Sequence, residues 1–127
     1  MPGKVLVAVP DLLLQSRITE AAKRVGVELA LASTGDEVLQ VGRAEKPRLV
    51  ILDLESPRIQ AERTLMRLRA DAELCAVPTL GFYSHVDKRL ADRMVQAGCD
   101  RAMPRGQFVE KVEELLRPLA GRDAPTG

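Results

Sequence analysis

An alternating α/β fold, with a parallel sheet covered by helices on both faces, follows from three features of this sequence. Short apolar runs alternate with stretches of helical spacing, five times along the chain. One run, Arg48–Leu52, is continuously apolar after its first residue and too short for a helix, as a strand buried on both faces should be. Glycine and proline fall between the segments, where turns are needed. Right-handed crossovers then leave few ways to order the strands.

The elements follow in order. Lys4–Val9 reads as a buried first strand stopped by Pro10. From Asp11, the residues Leu14, Ile18, Ala22 and Val25 recur at helical spacing, and Gly26 is placed to end that helix in the left-handed conformation. Val27–Ala32 supplies a second strand. Ser33-Thr34-Gly35-Asp36 carries cap and turn chemistry for a short helix through Val38 and Val41, which Gly42 is expected to close. Pro47 introduces the central strand. A loop around Ser56-Pro57 leads to a helix marked by Leu65 and Leu68 and ending near Ala70. Pro78 precedes the strand Thr79–Phe82, and Asp87–Ala97 forms a helix closed by Gly98. Arg101–Met103 is a short fifth strand. The last helix, Phe108–Leu119, turns Phe108, Val112, Leu115, Leu116 and Leu119 inward. Residues 1–120 thus form the domain, and 121–127 a frayed tail.

Composition narrows the function classes. With 19 basic and 18 acidic residues the formal charge is +1, so nothing calls for nucleic acid as a partner. No apolar stretch approaches the ~20 residues that span a bilayer, and Pro10 and Asp11 interrupt the apolar start that would otherwise resemble a signal sequence. Cys75 and Cys99 lack metal-ligand or redox spacing; both are expected to be reduced, in a cytoplasmic protein, with Cys99 a packing residue. His85, the only histidine, has no partners for a metal set and is read as a solvated loop residue. Arg58, Arg63, Arg67 and Arg69 are interleaved with acids and read as a solvated helix face.

In open parallel sheets, chemistry gathers beyond the carboxyl ends of the strands. That directs attention to Pro10-Asp11, Asp53-Leu54-Glu55, Tyr83-Ser84 and Pro104-Arg105. The segments KVLVAVPD, RLVILDLESP, VPTLGFYSHVD and AGCDRAMPRGQF carry these residues. Through them the chain resembles the CheY-like receiver domains of two-component response regulators, from Lys4 to Leu119. The resemblance implies a flavodoxin-like (βα)5 sandwich with strand order 2-1-3-4-5. It also implies that Asp53 stands at the phosphoacceptor position, where an aspartate attacks a phosphohistidine on a sensor kinase while Mg²⁺ offsets the phosphoryl charge.

Against that pattern the chain departs at five positions. The acid pair after the first strand is Pro10-Asp11, which leaves Asp11, Asp53 and the Glu55 backbone carbonyl for a weak Mg²⁺ site, or none. The hydroxyl residue ending the fourth strand is Tyr83, and Ser84, one residue on, faces the other way. The lysine after the fifth strand is Arg105, a cation of different reach. It is followed by Gly106 where the family has a proline after a cis bond, so Arg105–Gly106 is expected to be trans and its side chain displaced. The switch aromatic of the fifth strand is Ala102, and the Tyr83 ring is expected to fill the space vacated there.

The leading expectation is an atypical receiver domain, not an enzyme, that signals by protein–protein contact with phosphorylation impaired or absent. Its partner would be a histidine kinase, a downstream output protein or a second copy of the chain. The family's usual output face would carry Lys88, Arg89, Asp92, Arg93, Glu110 and Glu113. Two alternatives stand beside it. One is a single-domain response regulator phosphorylated at Asp53 with weak Mg²⁺. The other is a flavodoxin-like small-molecule binder, disfavoured because Asp11-Leu12-Leu13-Leu14 offers no glycine or hydroxyl to a phosphate.

Overall fold

The computed structural model describes residues 3–84 and 88–120. The expectations for His85, for a helix start at Asp87 and for the tail 121–127 fall outside these residues.

Five strands, β1 (Lys4–Ala8), β2 (Glu28–Leu31), β3 (Leu49–Asp53), β4 (Thr79–Tyr83) and β5 (Arg101–Pro104), form one parallel sheet in the order β2-β1-β3-β4-β5. The helices between and after them are α1 (Leu12–Val25), α2 (Gly35–Glu45), α3 (Ala61–Ala70), α4 (Lys88–Ala97) and α5 (Arg105–Leu116), with a 3₁₀ turn at Arg117–Leu119. This is the flavodoxin-like order expected from the sequence.

Strand alternation builds two cores. Val5, Val7, Val9, Ile51, Leu80, Phe82 and Met103 face α1 and α5, where they meet Leu14, Ile18, Phe108, Val112 and Leu116. Leu6, Ala8, Val50 and Leu52 face α2, α3 and α4, where they meet Val38, Leu39, Leu65, Leu68 and Met94. The central strand is buried on both faces, as its continuous apolar run requires.

Caps explain where helices start and stop. Asp11 adopts an extended backbone and its carboxylate accepts from the Leu13 and Leu14 amides, satisfying two of the unpaired N–H groups of α1. Gly26, at φ 80°, ends α1 in the left-handed region. The Thr34 hydroxyl accepts from the Glu37 amide, and the Glu37 carboxylate reaches back to the Ser33 amide, a variant of the capping box.

Two expectations are corrected. Gly42 does not close α2; it lies inside the helix, where an added Cβ would meet Leu74 Cδ1 at 3.0 Å. Lys46 is the left-handed residue at φ 51°, and the helix runs on to Glu45 because the close approach of Leu74, not chain reversal, is what calls for glycine. Nor is Arg69 part of a solvated stripe. Its guanidinium lies under the sheet's amino edge, donating to the carbonyls of Cys75, Val77 and Gly98, to Thr79 Oγ1 and to Asp100 Oδ2. Arg58 and Arg63 are exposed as expected, and Arg67 pairs with Asp36 at 2.7 Å.

Candidate functional site

Asp53 ends β3 at the carboxyl edge of the sheet, on the face shared with α1 and α5. Its in-register neighbour on β4 is Phe82, whose ring stacks on Phe108 with centroids 4.9 Å apart. On the other side, Ala8 pairs with Leu52, so the next residue, Val9, lies level with Asp53 and is fully buried. The carboxylate therefore stands half-buried between two apolar side chains. Burial is the main influence raising its pKa above the usual carboxylate range, and the Glu55 and Asp11 charges add to it. The Glu55 amide, donating to Asp53 Oδ1 at 2.9 Å, and the Arg105 charge act in the opposite direction.

Asp11 is held in place by its cap. Oδ1 accepts from Leu13 N at 2.9 Å and Leu14 N at 3.2 Å, and Oδ2 accepts from Arg105 at 3.4 Å. The Leu14 amide is foremost in lowering its pKa, with Leu13 and Arg105 contributing. Arg105, at the first position of α5, thus remains at this edge although the Arg105–Gly106 bond is trans. Its reach delivers the guanidinium to Asp11.

The loop after β3 is tied to the loop after β4. Glu55 Oε1 accepts from the Ser84 amide at 2.6 Å, so the Glu55 carboxylate, and not only its carbonyl, belongs to the site. Sequence reasoning missed this because nothing in the spacing of Asp53-Leu54-Glu55 says where the third side chain turns. It also missed Val9, although alternation from Val5 and Val7 could have found it. The residue level with Asp53 is this valine, and Pro10 and Asp11 lie in the loop beyond.

A divalent cation of the Mg²⁺ type needs oxygen ligands and keeps several waters. Asp53, Asp11 and the Glu55 carbonyl supply the oxygens here, but Asp11 is already shared between α1 and Arg105. Among the described residues no group of three or more His, Cys, Asp or Glu side chains is arranged to hold a metal. The set fits a weakly held cation at most.

Tyr83 and Ala102 lie on the opposite face, both packed against the core under α2, α3 and α4. Gly81 pairs with Ala102 and Tyr83 with Pro104, which makes Tyr83 and Ala102 diagonal neighbours across β4 and β5. Space at Gly81 is taken by Leu54: a Cβ there would fall 2.4 Å from Leu54 Cδ2.

The six charged residues expected on one face are divided among several surfaces. Lys88, Arg89 and Asp92 are exposed on α4. Arg93 turns to α3 and bonds Glu62 at 3.2 Å. Glu113 turns to α1 and pairs with Arg24 at 2.7 Å, and Glu110 lines the same α1–α5 groove. Cys99 is buried, with its thiol raised chiefly by burial, in keeping with packing; Cys75 is exposed.

Comparisons with known proteins agree on the class. No family model matches the chain. The response regulator MprA of Mycolicibacterium vanbaalenii is 26% identical over 125 residues, which cover 98% of this chain and 53% of MprA. The polar-differentiation response regulator DivK of Brucella anthropi is 22% identical over 121 residues, covering 95% of this chain and 98% of DivK. Among solved structures, the chemotaxis response regulator CheY4 of Vibrio cholerae superposes with a TM-score of 0.82 at 15% identity, over 94% of this chain and 99% of that one. The Mn²⁺-bound form of response regulator Rcp1 gives 0.73 at 15% identity, over 99% of this chain and 97% of that one.

A five-stranded parallel sheet in this order, with an aspartate ending its third strand, and relatives of this kind define a CheY-like receiver domain of the response-regulator class. The chain is similar to such domains in fold and in sequence, and it spans about half the length of the MprA relatives it matches. No described helix is long and apolar enough to cross a membrane.

Proposed function

We propose that this receiver domain acts in the cytoplasm through protein–protein contact, with phosphotransfer to Asp53 impaired. The observation that carries the reading is the pairing of Arg105 with Asp11. It engages at once the cation that would meet a phosphoryl group and one of the two carboxylates that would hold Mg²⁺. The fully buried Val9 beside Asp53 supports the same reading, since it puts no oxygen where a cation would need one. Mg²⁺, when bound, would supply positive charge to offset an incoming phosphoryl group. Asp11, Asp53 and the Glu55 carbonyl would hold it weakly.

Partners in this reading are a histidine kinase or a downstream output protein, met on the exposed charges of α4, with self-association as an alternative. Charged, exposed contacts favour steered and reversible encounters. The Tyr83 ring, packed diagonal to Ala102, is proposed to hold the switch of the fifth strand in one state.

A second reading keeps Asp53 as a working phosphoacceptor. It is favoured by the half-exposed carboxylate itself, with Oδ1 oriented by the Glu55 amide. Incubation with Mg²⁺ and acetyl phosphate, followed by intact mass measurement, separates the two. No phosphoryl adduct is expected; an adduct that disappears in Asp53→Asn would refute the leading reading.

A further inference from the structure

Around Asp53, the donors that could receive an incoming anion are the backbone amides at the sheet's carboxyl edge and one cation. Leu54 N bonds Phe82 O at 3.0 Å, which carries the pairing of β3 and β4 to the very edge. Glu55 lies two residues beyond Asp53, and Ser84 two beyond Phe82, its partner, so the two loops stand at the same level. Backbone amides at such an edge, unneeded by the sheet, are natural seats for anions.

Among the described residues, three of these donors each hold a carboxylate of the chain itself. Ser84 N donates to Glu55 Oε1 at 2.6 Å, Glu55 N donates to Asp53 Oδ1 at 2.9 Å, and Arg105 donates to Asp11 Oδ2 at 3.4 Å. The Glu55 contact differs from the other two. Asp53 is the attacking group itself, and Asp11 is anchored by the α1 cap. Glu55 is an exposed side chain on a loop that Leu54 anchors in the core. Its carboxylate is short-tethered, negatively charged and in charge-assisted contact with the Ser84 amide.

We propose that Glu55 is an internal anion, a latch that fills the Ser84 amide seat and competes with any phosphoryl group bound to Asp53. This deepens the proposed impairment of phosphotransfer and rests on it. A tethered carboxylate competes at a high effective concentration, so a free anion must displace it before it can use the seat. The same contact ties Glu55, after β3, to Ser84, after β4.

The test uses beryllofluoride, in which an Asp53 oxygen replaces a water on beryllium, with Mg²⁺ present. Amide spectra of ¹⁵N-labelled native chain, Glu55→Ala and Glu55→Gln are followed through the titration. Without ligand, loss of the carboxylate should move the Ser84 amide upfield, which reports the latch directly and shows that the variants are folded. With ligand, Glu55→Ala should bind at least tenfold more tightly than the native chain. Glu55→Gln, an uncharged acceptor, should fall between, and the Ser84 amide should shift on binding. Binding to Glu55→Ala no tighter than to the native chain overturns the latch, as does a Ser84 amide indifferent to the substitution. The affinity of the native chain judges the reading of impaired phosphotransfer separately: tight binding there overturns that reading, while the ratio between the chains judges the latch.

Discussion

Replacing Arg69 with methionine tests whether the lower edge of the sheet depends on one guanidinium. The side chain is only about a quarter exposed and donates to three carbonyls, Thr79 Oγ1 and Asp100 Oδ2. Those acceptors come from the end of the loop before β4, from β4 itself and from the turn between α4 and β5. Methionine keeps the apolar stem and removes every donor. Each charge-assisted bond is worth ~1.5–3 kcal/mol taken singly, but bonds sharing one group do not add. Removing one partner of a fully buried charged network costs ~3–5 kcal/mol, and partial exposure argues for the lower end, ~3 kcal/mol. With an unfolding entropy of ~2.1 cal/mol/K per residue over 127 residues, that corresponds to a fall in Tm of about 11 °C. Thermal unfolding followed by circular dichroism reads it. Arg67→Met, which breaks only the pair with Asp36, should move Tm by no more than about 3 °C. Arg69→Lys should recover less than half of the loss, since one ammonium cannot match a planar fork. A fall of less than about 4 °C for Arg69→Met would show that water replaces the guanidinium cheaply, and the clamp would be refuted.

Three further outcomes follow from the same packing and electrostatics. Gly81→Ala sets a Cβ within 2.4–2.7 Å of three Leu54 carbons and should destabilise the fold by ~1–3 kcal/mol in urea unfolding; Leu54→Ala in the same chain should return part of that. Lys46→Gly relieves a left-handed residue at φ 51° and should stabilise by ~0.5–1 kcal/mol, read as a higher urea midpoint with unchanged slope. Asp53→Asn should raise Tm at pH 7, because the folded state lifts the carboxyl above its unfolded pKa and its ionisation therefore opposes folding. That penalty grows as pH rises from the unfolded pKa through the raised folded value and is absent below both. The difference between Asp53→Asn and the native chain should accordingly vanish in acid, and a constant difference across pH would refute the assignment.

Much of the fold was legible because its signals are local. The apolar run at Arg48–Leu52, the glycine after Val25 and the Asp11 cap each declare their element without help from elsewhere. Gly42 misled because glycine answers two needs, a left-handed backbone and a close approach, and only tertiary contact with Leu74 decides between them. Arg69 misled for a related reason: it is charged and sits among charged residues on α3, while its acceptors lie beyond the helix, 6 to 31 residues along the chain. At the candidate site, the carboxyl end of the third strand and the resemblance to receiver domains pointed to Asp53, and alternation separated Tyr83 from Ser84. The direction of Glu55 and the pairing of Arg105 with Asp11 depend on side-chain reach across 29 and 94 residues of sequence, which no spacing encodes.

Loss of an acid at this edge has consequences beyond a missing ligand. In a cluster rich in carboxylates, a lone cation is shared among several anions and stays available to a newcomer. With Val9 level with Asp53 and proline at the next residue, the acids at this edge are those already committed to backbone amides, and Arg105 pairs with one of them, Asp11. Asp53 is then left half-buried, raised by burial and by the charges of Glu55 and Asp11, and opposed mainly by one amide and a cation engaged elsewhere. A phosphoryl group arriving there would add negative charge while finding the Ser84 amide and Arg105 already paired, so each favourable contact would first require breaking a charge-assisted one. Placing an acid at Val9 would not by itself reverse this, because the new carboxylate would be fully buried between apolar neighbours unless a cation came with it.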